Sequence, residues 1–307
     1  MASPVAAMPP ALCVLLPERR RFAGQPVGVE AGRFLARADR PADGEAGERA
    51  QLLRHFDLLP RGWPMAAITR QRGAGDAGLH SWLRADPCHV RPDMTGARVL
   101  AIGELGLDHD DAQALLAPLR PLFGDLGFQL SAPVPSRWYV ALPVAAKLPA
   151  FSTPDAVLGD DLFAHLPDGP EGRRWRALLN EAQVILHNHP VNQARVQAGK
   201  PAVNSLCFWG AGRLPDHARS VFTAVSSQEP ELLSLAQLAG IANTGDGPQL
   251  LDLRQARDWS ALEQRLLPGL RALGAAEVQL DFADGALFWL KASQRWRFWR
   301  RPLAGLA

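Results

Sequence analysis

Along this chain, short continuous apolar runs alternate with stretches whose apolar residues recur every three or four positions. LCVLL, Leu12 to Leu16, is a run of the first kind, set between Pro10 and Pro17. It predicts a strand buried on both faces, as an α/β sheet contains. The proline-rich residues 1–10 before it predict a frayed start. Residues 22–39 read as a loop and a short helix, 40–50 as a polar surface connection, and AQLLRHFDLL as a helix that Pro60 and Gly62 close. GAGDAG, residues 73–78, follows no clear strand and precedes no Lys-Ser/Thr, so it reads as a mobile loop between helices rather than a phosphate loop.

From Arg84 the pattern predicts two strands joined by the turn RPDMTG, a helix that Asp108 caps, and two more strands with Arg137 between them. Adjacent helical residues face different ways, so DHDD reads as capping and dipole compensation rather than a metal site. A linker rich in proline and glycine, 147–172, leads to an amphipathic helix over 173–187, and Pro190 forces His189 out of helical geometry. After Pro215, strand and helix alternate: strand 219–227, helix 230–240, strand 249–255, a helix over 258–273 interrupted at Pro268, then a hairpin turning at Asp284-Gly285. The order predicts an α/β core domain, residues 1–83 and 188–307, with residues 84–187 as an inserted, smaller α+β subdomain and linker.

Charge and cysteine content narrow the partners. Lys plus Arg number 33 against 31 Asp plus Glu, and a net charge of +2 gives no general attraction to nucleic acid or anionic membrane. Cys13, Cys88 and Cys207 are far apart with no C-x-x-C spacing, which argues against a disulfide framework or structural zinc and fits a reducing compartment. No run approaches the ~18 apolar residues of a membrane helix. The N-terminus also lacks the marks of a secretory signal. The expectation is a cytoplasmic protein with no membrane partner and no implied cofactor.

The most informative stretch is HNHPVNQARVQAGKPAVNSLCFWGAGRLP, His187 to Pro215, where an apolar strand, Val203 to Trp209, empties into a glycine turn. Such a turn lets backbone amides approach an anion. Asn192, Arg195, Asn204 and Arg213 could join Gly210 and Gly212 in holding a carboxylate or phosphate. Equally, Asn192 could cap a short helix, Arg195 salt-bridge nearby, and Asn204 tie a loop to the strand. His187 and His189, two apart at a helix end, read as C-terminal capping rather than a metal pair. Trp209 reads as core more readily than as a ligand platform, and Cys207 as an inert core thiol. The tail KASQRWRFWRR could be a nucleic-acid surface but fits better a strand with one packed and one solvated face.

The run HPVNQARVQAGKPAVNSLCFWGAGRLP resembles the archaeal-type cofactor-independent phosphoglycerate mutases of the alkaline phosphatase superfamily, and RADPCHV, SRWYVAL, STPDAVLG and LPDGPEG resemble that family's insertion subdomain. WPMAAITRQRGAGDA, ADPCHVRPDMTGARVLA and the HNHPVN run also resemble a proteobacterial group of regulatory proteins, the E member of the regulation-of-pathogenicity-factors cluster. The resemblance implies an alkaline-phosphatase-like sheet flanked by helices, with an inserted subdomain. It also implies two divalent metals on Asp and His ligands, with an Asp directly after the first strand. Here that strand runs into Pro17-Glu18, and the last third of the chain holds one histidine, His217. Metals are not held without ligands. The expectation is therefore a non-catalytic regulatory or ligand-binding relative, with no catalytic or metal residues and a ligand site at His189, Asn192, Arg195, Asn204, Trp209, Gly210, Gly212 and Arg213. Its partners would be a phosphorylated or carboxylate small molecule or a protein, with nucleic acid disfavoured. The alternative is a divergent metal-dependent mutase or phosphatase using Glu18, His187 and Asp281.

Overall fold

The computed structural model describes residues 10–94, 96–143, 146–244, 247–271 and 277–306. The frayed start expected over 1–10 falls outside this range except for Pro10, as does the end of the last predicted helix. Two units emerge: Met1–Leu59 with His217–Ala307, and Pro60–Asp216.

The first unit begins with β1 (Leu12–Leu16), α1 (Val29–Arg37), α2 (Glu48–Leu53) and β2 (Asp57–Leu59). The predicted helix over 50–59 is thus cut short. Leu58 is buried where Asp57–Leu59 pairs with a strand far along the chain, and that long-range pairing overrides the local helical pattern. The second unit comprises α3 (Met65–Ala74), β3 (Ser81–Pro92), β4 (Ala97–Ile102), α4 (His109–Gly124), β5 (Gln129–Val134), β6 (Arg137–Leu142), α5 (Pro154–Val157), α6 (Gly169–His187), α7 (Pro190–Gln197) and β7 (Ser205–Arg213). The chain then returns to the first unit with β8 (His217–Arg219), β9 (Ala224–Ser226), α8 (Pro230–Leu238), β10 (Gln249–Asp252), α9 (Trp259–Arg271), β11 (Val278–Phe282) and β12 (Leu287–Leu290).

In the first unit the sheet order is β12-β11-β1-β10-β9, with β11, β1, β10 and β9 parallel and β12 antiparallel at the edge. β1 lies between two parallel neighbours, which explains its unbroken apolar composition: Cys13 to Leu16 are fully buried. One face carries a core of Val14, Leu16, Leu35, Trp259, Leu280 and Phe282. α9 runs through Pro268 without ending. The tail after β12 is a 3-10 helix, Ala292–Trp296, followed by irregular chain, not the expected strand.

In the second unit β3 is the spine. It pairs with β6 over Ser81–Arg84, with β4 over Cys88–Pro92, and with β7 over Ser81–Cys88, while β5 adds to β6. α4 and α6 cover this sheet through a core that includes Leu115, Leu119, Trp138, Trp175 and Leu186. Asp108 caps α4 by accepting from the Asp111 N–H at 2.7 Å. Gly73 and Ala74 lie inside α3 and Gly75, at φ +72°, ends it, so the first two residues of GAGDAG are helix rather than loop.

The boundary between units falls at 59/60 and 216/217, not at 83/84 and 187/188. The physical reason is β7. Its long pairing with β3 draws residues 205–213 into the sheet of the middle segment, and α3 packs on the same strands.

Candidate functional site

The predicted ligand residues are dispersed into structural tasks. Asn192 is 3% exposed inside α7, where its amide donates to the carbonyls of Leu186 (2.6 Å) and Val203 (2.7 Å) and accepts from Val203 N–H (2.8 Å). Arg195, also 3% exposed, donates to the carbonyls of Leu105, Gly106 and Pro201 and ion-pairs with Asp111 at 2.8 Å. Asn204 makes two bonds to the backbone of Val90, at 2.8 and 2.7 Å. These three side chains pin the segment before β7 to α4 and β3. His189 caps α7, its Nδ1 accepting from Val191 N–H, and Arg213 lies exposed at the end of β7.

The glycines form no turn. Gly210 and Gly212 lie inside β7 at φ +66° and +146°, opposite the start of α3. A Cβ on Gly212 would sit 2.7 Å from Pro64 Cβ, and one on Gly210 3.2 Å from Met65 Cβ and Ala66 N. Close approach of a helix terminus, rather than of an anion, is what requires glycine there.

Trp209 is buried and its indole N–H donates to Asp86 Oδ2 at 2.7 Å. Asp86 and Arg84, both almost fully buried, share two contacts of 2.8 Å. Arg84 also reaches Thr69 Oγ1 at 3.2 Å, to which Tyr139 donates at 3.1 Å. A buried ion pair satisfied on every side locks a core in one arrangement. Arg84 and Asp86 stand two apart, the spacing that puts side chains on one face of a strand, a signal the sequence carried unread.

A groove of about 480 Å³ in this unit meets Asn204 and His187, but its other walls include Val90, Leu162, Phe163 and Val184. Of the eight predicted ligand residues it contains Asn204 alone, and it presents no fixed cation for a phosphate.

In open α/β sheets, ligands bind beyond the carboxyl ends of the parallel strands. Here those ends belong to the first unit, and carboxylates do gather there. Asp252 closes β10, Asp281 is the penultimate residue of β11, and Asp284 lies just beyond that strand. Each faces an arginine. Arg254, 4% exposed, contacts Asp252 at 2.8 and 2.9 Å and Glu48 at 3.2 Å. Asp281, fully buried, is held by Arg54 at 2.6 and 3.0 Å and by His55 Nε2 at 2.7 Å. Asp284 accepts from Arg19 Nε at 2.7 Å. Gln51, buried in α2, closes the edge by donating to the carbonyls of Leu16 and Asp281. Burial pushes the Asp252 carboxyl up, but the bonds and charge of Arg254 and the Ser227 hydroxyl pull it further down, to a net position below the ordinary carboxylate value.

A dication would have to displace these guanidinium groups, so the donor set does not fit the two-metal centre the resemblance implies. Among the described residues, no group of three His, Cys, Asp or Glu side chains is placed to hold a metal ion. Cys13 lies 3.7 Å from His55 Nε2, but burial, then the Asp281 charge, push its thiol well up, so it is a core thiol rather than a nucleophile. Cys88, raised to about 12 by burial, and Cys207, raised by burial, are alike.

No protein-family model matches the chain. Over 62 residues it is 37% identical to a Geobacter sulfurreducens protein named "Probable 2,3-bisphosphoglycerate-independent phosphoglycerate mutase", a match covering 20% of this chain and 16% of that protein. A 2,3-bisphosphoglycerate-independent phosphoglycerate mutase of Methanosarcina mazei matches to the same extent, 37% over 62 residues, again 20% and 16% of the two chains. The match thus spans about a sixth of the length of these curated relatives. Among solved structures, the cofactor-independent phosphoglycerate mutase of Thermoplasma acidophilum superposes with a TM-score of 0.41 at 16% identity, covering 93% of this chain and 90% of its own.

Proposed function

We propose that this chain is a regulatory or ligand-binding relative of the cofactor-independent phosphoglycerate mutases that has given up their metal-dependent phosphoryl transfer. The shared 62-residue segment supports the kinship. The observation that carries the functional reading is the arginine opposite each carboxylate at the carboxyl edge of the parallel sheet: Arg254 on Asp252, Arg54 on Asp281, Arg19 on Asp284. A guanidinium neutralises a carboxylate permanently, because it does not release its proton at physiological pH. The residues of the enzymatic alternative are committed elsewhere: Asp281 is sealed, Glu18 pairs with Arg20, and His187 ends a helix of the other unit. The setting that fits is the bacterial cytoplasm, where three unpaired, buried thiols stay reduced. No helix of the described residues is long and apolar enough to cross a membrane.

The test is a phosphoglycerate mutase assay with added manganese, alongside a thermal-shift titration with 3-phosphoglycerate with and without the metal. The expected results are no turnover and a midpoint insensitive to manganese. Metal-dependent turnover would overturn the proposal.

A further inference from the structure

A different part of the first unit gathers positive charge that carboxylates neutralise only in part. At the end of α1 the chain runs Ala38-Asp39-Arg40-Pro41 along the edge strand, and Asp39 exchanges two backbone hydrogen bonds with Trp289 of β12, at 3.0 and 2.9 Å. This anchors Arg40, whose guanidinium lies 4.5 Å from the centre of the Phe288 ring. Lys291 follows β12, whose last residue, Leu290, pairs with Val278 at the start of β11. Lys291 therefore stands toward the amino end of the parallel strands. Arg300 is brought in from the tail, with Nη1 donating to the carbonyls of Ala36 (3.0 Å) and Ala38 (3.1 Å).

Together these residues line a cleft of about 620 Å³. Its one carboxylate, Asp39, is already bound by Arg297 at 2.6 Å. Lys291 meets Glu277 at 3.1 Å, but among the described residues neither Arg40 nor Arg300 has a carboxylate within 4.0 Å. Burial, then the charges of Arg19 and Arg300, push the Arg40 guanidinium below its ordinary value, against an opposing pull from the Asp43 charge. The aromatic seat beneath Arg40 and the backbone carbonyls that hold Arg300 fix two forks of donors, the geometry that suits phosphate oxygens. The cleft is larger than one phosphate needs and falls in the ~300–1,000 Å³ range of small-molecule sites.

We propose that the cleft formed by Arg40, Lys291, Arg300 and Trp289 binds a small molecule carrying a phosphate ester or pyrophosphate group. The site is independent of the mutase reading, because none of its residues belongs to the carboxyl edge.

The test is calorimetric titration of the full chain with inorganic pyrophosphate in metal-free chloride buffer at fixed ionic strength. A single-stranded oligonucleotide serves as a second titrant. Pyrophosphate is expected to bind, and Arg40→Gln and Lys291→Gln each to weaken it about tenfold. Arg72→Gln, which removes the same charge from the exposed last turn of α3 in the other unit, should leave binding unchanged. If Arg40→Gln fails to fold, Lys291→Gln carries the test. Absence of pyrophosphate binding, equal losses in all three variants, or binding of the oligonucleotide alone would each overturn the proposal. Mutase turnover plays no part in the readout, so failure here and failure of the functional reading are separately visible.

Discussion

Two regions of the first unit hold arginines in opposite ways. At the carboxyl edge of the parallel sheet, Arg254, Arg54 and Arg19 each close on a carboxylate within 3 Å. Beside β12, Arg40 and Arg300 share a cleft, and among the described residues they meet an aromatic ring and backbone carbonyls but no carboxylate within 4.0 Å. The first arrangement is complete by itself and can be read as structure. The second is electrostatically unfinished, and an unfinished arrangement of fixed donors is what a ligand completes. The place where the topology predicts a site is thus the place where the charges are already spent.

The contrast makes its largest prediction at Arg254. Replacing it with Met leaves Asp252 without its cation in a buried setting, and breaking such a pair costs about 3–5 kcal/mol. Denaturant unfolding should show it as a shifted midpoint with an unchanged slope. The double variant Asp252→Asn/Arg254→Met should recover part of that loss, because the stranded charge goes with its partner. If the single variant is as stable as the parent, the edge is not a closed electrostatic unit.

Acid offers the next handle. The folded Asp252 carboxyl lies below its unfolded value of 3.8, so its contribution is present above that pH and is lost as pH falls through the folded value. Asp39 and Asp76, lowered chiefly by hydrogen bonds from Arg297 and Arg70, act in the same window. Stability should therefore fall below about pH 4, following carboxylate protonation. Asp252→Asn should flatten part of that limb in a series of melts. An unaltered limb would show that Asp252 is not held in its charged form.

Much of the scaffold was legible in the sequence. The apolar run of β1, the Asp108 cap and the Asp284-Gly285 hairpin each declare themselves by local chemistry, and each is present. The site was not legible, for physical reasons. Asn192, Arg195 and Asn204 stand out because polar side chains amid apolar ones must do something. Whether such a side chain binds a carbonyl of its own chain or an oxygen of a ligand depends on what folds against it. Gly210 and Gly212 pose the same ambiguity, since a glycine can be required by a turn, an anion or, as here, by Pro64 and Met65 packing on the strand. β2 escaped notice because its partner, β8, comes from the far side of the middle unit's sequence. The basic cleft joins residues 38–41, 289–291 and 300, and no single window of sequence contains it.

The smallest effect sharpens the comparison most. Arg40→Gln removes a charge that, among the described residues, has no carboxylate within 4.0 Å, so it breaks no ion pair among them. The lost ring contact over Phe288, of the order of 0.5–1 kcal/mol for a partly exposed pair, is offset by relief from Arg19 and Arg300. The net change in stability should lie within about 0.5 kcal/mol, against several at Arg254. Denaturant unfolding of the two variants side by side measures the difference. A large loss at Arg40 would mean that its charge, too, is spent inside the fold, and the two regions would no longer differ in kind.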